Sequence, residues 1–73
     1  MEQYIYEDDY RGQKRNLLII SGEDDTSYRV FLDARFIGSI SHEITDELVI
    51  WKTDYNILKP IANKIGKWIE NSN

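Results

Sequence analysis

Apolar residues recur along this chain in short blocks, most of them at the spacing of a strand. Leu17-Leu18-Ile19-Ile20 and Leu48-Val49-Ile50-Trp51 are unbroken apolar runs. Successive side chains of a strand point to opposite sides, so each run places apolar groups on both faces of a sheet. Tyr28, Val30 and Leu32 alternate with Arg29 and Phe31, and Phe36 to Ile40 follows after Asp33-Ala34-Arg35. That pattern predicts a hairpin. Asp-Ala is a poor pair for a two-residue turn because Ala resists positive φ, so a three-residue loop with Leu32 opposite Phe36 and Val30 opposite Gly38 is expected. Tyr4-Ile5-Tyr6 predicts a short strand ended by Glu7-Asp8-Asp9. Ser41 to Glu47 reads as a polar connection. Gly38, inside a strand, marks a bulge or the close approach of a bulky group, with Trp51 or Trp68 the expected neighbour.

The C-terminal segment changes period. At about 100° per residue, Ile57, Leu58, Ile61, Ala62, Ile65, Trp68 and Ile69 fall within an arc of about 140°, a core-facing helical stripe. Pro60 fits only the first turn, so the helix is expected to start within residues 54–57 with that turn irregular.

The expected fold is α+β: a small antiparallel β-meander of four to five strands with one C-terminal amphipathic helix packed on one face. Residues 1–73 form a single domain, with residues 1–12 an edge strand or a mobile arm. The expected core is Leu18, Ile20, Val30, Leu32, Ile40, Ile50, Ile57, Ile61, Ile65, Trp68 and Ile69. One helix covers one sheet face. A second copy, a partner, or a curling of the sheet must shelter the other.

Composition narrows the chemistry. At 73 residues the domain has a marginal core. It has no cysteine, so disulfides and thiolate metal sites are excluded. The formal net charge of −4 opposes general affinity for phosphate backbones. The acidic opening segment has no signal-peptide pattern and no run reaches the ~20 apolar residues of a membrane helix, so a cytoplasmic location is expected.

Candidate chemistry is sparse. The lone histidine, His42, stands with Glu43 and Asp46, short of the three or four rigidly held ligands a zinc site needs. Gly22-Glu23-Asp24-Asp25 lacks the alternating oxygen ligands of a calcium loop. The glycines are too scattered for a phosphate-binding loop. No catalytic, cofactor-binding or metal residue is assigned, and no enzymatic activity is expected.

The sequence therefore points to a small protein-interaction or regulatory module that partners itself as a homodimer, or another protein. The candidate interface is Leu17, Ile19, Phe31, Ile37, Val49 and Trp51. An alternative is a module for single-stranded nucleic acid or another ligand, using Tyr4, Tyr6, Tyr10, Arg11, Arg15 and Arg29. Stacking aromatics with a cationic rim bind single strands this way, although Glu7, Asp8 and Asp9 oppose it. A further alternative is an acidic inhibitor or mimic occupying a partner's basic groove.

Overall fold

The computed structural model describes residues 2–22 and 26–72. Five strands, β1 (Gln3–Tyr10), β2 (Gln13–Ser21), β3 (Ser27–Leu32), β4 (Arg35–Thr45) and β5 (Leu48–Lys52), precede one helix, α1 (Ala62–Ser72). The strands form one antiparallel sheet in sequential order. This is the expected α+β meander with a C-terminal helix. Residues 1–12 contribute the edge strand β1 rather than an arm.

The connections are tighter than the sequence suggests. Three hairpins turn on two residues: Arg11-Gly12, Asp33-Ala34 and Asp46-Glu47. All six central residues have positive φ, the signature of type I′ turns. Only one of them is glycine. The primed turn matches the twist of the flanking strands, and here pairing of the long arms outweighs the cost of left-handed backbone at Asp33, Ala34, Asp46 and Glu47. Glu7 to Asp9, expected to end the first strand, and Ser41 to Thr45, expected to be a polar connection, are consequently paired strand.

The β3–β4 hairpin corrects the expected loop and keeps half of its register. Leu32 faces Arg35, as a two-residue turn requires. A bulge then accommodates one extra residue, Ile37, so that Phe31 faces Phe36 and Val30 faces Gly38. Gly38 does admit a close neighbour, though neither tryptophan. A Cβ there would come within 2.7 Å of the Tyr55 ring and 2.8 Å of Leu58.

The helix begins later than the sequence suggests. Residues 56–61 form successive turns, with Leu58 N–H donating to Tyr55 C=O and Ala62 N–H to Leu58 C=O. Pro60 has no N–H to offer, and regular helix starts two residues after it. Ile57 is left exposed as a result.

α1 lies against β1, β4 and β5. Because β1 and β5 are opposite edges of the sheet, the sheet curls around the helix, and one helix serves the whole inner face. Leu17, Ile19, Val30, Ile40, Trp51, Leu58, Ala62, Ile65 and Ile69 form the core between them, with Leu32, Ile61 and Trp68 partly buried against it. Leu18, Ile20 and Ile50 do not belong to it. The Arg11-Gly12 turn sets Tyr6 opposite Leu17 and Tyr4 opposite Ile19, so the odd-numbered residues of β2 share the face of the tyrosines and the helix. A one-residue difference in register sends every side chain of a strand to the other face.

Candidate functional site

The candidate interface does not lie on one surface. Leu17 and Ile19 are fully buried, and Trp51 is buried against α1. A Cβ on Gly66 would come within 2.1 Å of the Trp51 indole, whose Nε1–H donates to Glu70 Oε2 at 2.7 Å. Val49 is partly buried on the same inner face, and Ile37 packs against the core at the bulge. Core placement leaves Leu17, Ile19 and Trp51 no surface to offer a partner. Phe31 alone of the six points to the opposite face.

That outer face carries an apolar surface of different membership. The pairing aligns Ile5, Leu18, Phe31 and Phe36 in one row across β1, β2, β3 and β4. The Phe31 and Phe36 rings meet edge to face at 5.7 Å, and Tyr55 meets Phe36 in the same way at 5.9 Å. Ile5 is 64% exposed and Phe36 46%. Ile20 lies in the next row beside Arg29, and Ile50 is exposed on β5.

The pleat also sorts the charges. Glu7 and Asp9 of β1, Lys14 of β2, Arg29 of β3, Glu43 of β4 and Lys52 of β5 share the outer face with the apolar row. Lys14 Nζ lies 3.7 Å from Glu7 and Lys52 Nζ lies 3.2 Å from Glu43. Three acids thus meet three bases, and the face is neutral. The net charge of −4 therefore resides on the rest of the molecule.

The alternative ligand-binding residues fall into three places. Tyr4 and Tyr6 pack edge to face on Trp68 of the helix, at 5.7 and 5.4 Å. The Tyr4 hydroxyl donates to the Glu2 carboxylate. Burial of the Tyr6 phenol, reinforced by the Asp8 carboxylate, raises its pKa. Tyr10, Arg11 and Arg15 meet at the β1–β2 turn, where both guanidiniums lie over the Tyr10 ring, Arg15 at 4.3 Å. Arg15 is already engaged. Its Nε and Nη2 each donate to Asp8 Oδ2 at 2.9 Å, with both side chains largely buried. Arg29 stands apart on the outer face. A recess of about 630 Å³ beside this turn is lined by Glu7 and Asp33 as well as Lys14 and Arg15, so neither sign of charge dominates it.

His42 and Glu43 project from opposite faces of β4, and Asp46 lies in the following turn. His42 packs on Trp51 at 4.8 Å, with Nδ1 buried and without a hydrogen-bond partner. Among the described residues, no three His, Cys, Asp or Glu side chains converge. The Glu23-Asp24-Asp25 turn lies outside the described residues. Among the described residues, no helix is long and apolar enough to cross a membrane.

The apolar row was hidden because β2 is apolar at four consecutive positions, so composition gives no preference for either face. The position of the Arg11-Gly12 turn was the signal that decides it. Gly12, with φ of 81°, is the one residue of the three hairpin turns that advertises its conformation. Comparisons of the chain with protein-family models, curated proteins and solved structures found no match.

Proposed function

We propose that this chain is a non-catalytic protein-interaction module that works through the outer face of its sheet. The row Ile5, Leu18, Phe31 and Phe36 carries this reading. It is contiguous, partly open to water and lies opposite the helix. Contiguous exposed apolar surface of this kind marks interaction sites, and aromatic side chains are favoured in them. The nucleic-acid alternative has less support, since Tyr4 and Tyr6 face Trp68 and Arg15 is held by Asp8.

The test compares immobilised full-length protein with its Leu18→Glu and Phe31→Glu variants for binding of host proteins and of the chain itself. The expected result is a protein retained by the wild type and lost from both variants. Binding that is absent, or unchanged by both substitutions, overturns the reading.

A further inference from the structure

Resting on that reading, we infer that the occupant of the outer face is a second copy of this chain, seated face to face on the same surface. The argument is electrostatic. The molecule as a whole is acidic, so two copies repel at most approaches. The outer face is one surface where that repulsion is absent. Its strand residues supply Glu7, Asp9 and Glu43 against Lys14, Arg29 and Lys52. Two of the acids are already paired within the subunit, Glu7 with Lys14 and Glu43 with Lys52. A neutral, internally paired frame around an apolar centre is self-complementary, which is what an isologous contact requires.

The same arrangement argues against other occupants. A basic partner would gain more from the acidic remainder than from a neutral face, and an anionic surface would find no excess of cations there. Sheets pack face to face about 10 Å apart with their inner side chains interdigitated. The row of Leu18 and Phe31 in the two central strands, flanked by Ile5 and Phe36, supplies such side chains. Asp9 and Arg29, which have no ion pair among the described residues, are the residues left to pair across the two-fold axis.

Sedimentation equilibrium of the full chain, up to a few hundred micromolar, is expected to approach twice the 8.7 kDa monomer mass. Leu18→Glu and Phe31→Glu should each weaken association about 30-fold or more, as loss of a central interface residue does. Ile5→Lys, at an exposed edge position, should weaken it too and keeps the test valid if either central variant fails to fold. A wild-type monomer throughout overturns the second-copy inference alone. A host protein captured by the wild type and lost from the variants would then still support the outer face as an interaction surface. A dimer that survives Leu18→Glu, Phe31→Glu and Ile5→Lys also overturns the second-copy inference, because its contact lies elsewhere, and host-protein binding alone then decides the outer-face reading.

Discussion

Single residues in this domain are constrained most tightly where the helix meets the sheet. Gly66 sits mid-helix, where Ala would ordinarily be better by about 1 kcal/mol. The Trp51 indole occupies the space a Cβ would need, at 2.1 Å, and is held there by Glu70 and packed against the tilted His42 ring. Overpacking typically costs about 1–3 kcal/mol, so it should outweigh the gain in propensity. Gly66→Ala is expected to lower the urea midpoint and alter tryptophan emission. An unchanged midpoint would mean that the indole yields without cost. Tyr6 makes a second residue-scale prediction. Burial first, and the Asp8 carboxylate second, raise its phenol pKa above the ordinary 10. As pH rises through 10, the unfolded chain loses this proton before the folded one does. The folded state then binds more protons, and stability falls until the folded pKa is passed. Phenolate absorbance should include a late-titrating component, and Tyr6→Phe should remove it and flatten the alkaline loss of stability.

At the scale of elements, the hairpins show what the sequence could and could not disclose. The order of strands and helix was legible from periodicity alone, as were Val30, Ile40, Ile65 and Ile69 in the core. The turns were not, because five non-glycine residues accept positive φ where only Gly12 would be expected to. Asp33-Ala34 is the instructive case. Ala34 has φ of 65°, a conformation its Cβ resists, yet a two-residue turn followed by the Ile37 bulge reaches the same Val30–Gly38 pairing as a three-residue loop. Two local solutions lead to one register, and residue preference alone does not choose between them. Ala34→Gly should relieve the strain and stabilise the fold. Left-handed backbone costs a non-glycine residue about 1–2 kcal/mol, and the added flexibility of glycine in the unfolded chain returns about half of that. The net gain of about 0.5–1 kcal/mol should raise Tm by a few degrees in a domain this small. A lower Tm would mean that the alanine methyl makes contacts worth more than its strain. The candidate site was obscured by the same feature. Leu17 to Ile20 is apolar throughout, so only the turn that fixes the β1–β2 register decides whether Leu17 or Leu18 joins the core.

For the whole molecule, the decisive property is where charge is placed rather than how much there is. The net charge of −4 would disfavour self-association if it were spread evenly, but the outer face of the sheet carries none of it. The excess of acid falls in the turns and connecting segments of the sequence, while the outer face balances three acids with three bases. Arg29 beside Ile20 is the base of that face with no carboxylate partner among the described residues, so it contributes most directly to the balance between copies. Arg29→Glu would leave the apolar row intact and change the outer face from neutral to −2, by adding one acid and removing one base. Each dimer would then bring two such faces together. Association should weaken at low salt and recover as salt rises, because exposed charges are screened over about 10 Å at 0.1 M ionic strength. The wild type, with its paired frame, should respond to salt less steeply. Sedimentation of both proteins across a salt series measures the difference. Equal slopes would remove charge balance as the reason that this face accepts its own copy, and would leave the apolar row to act without it.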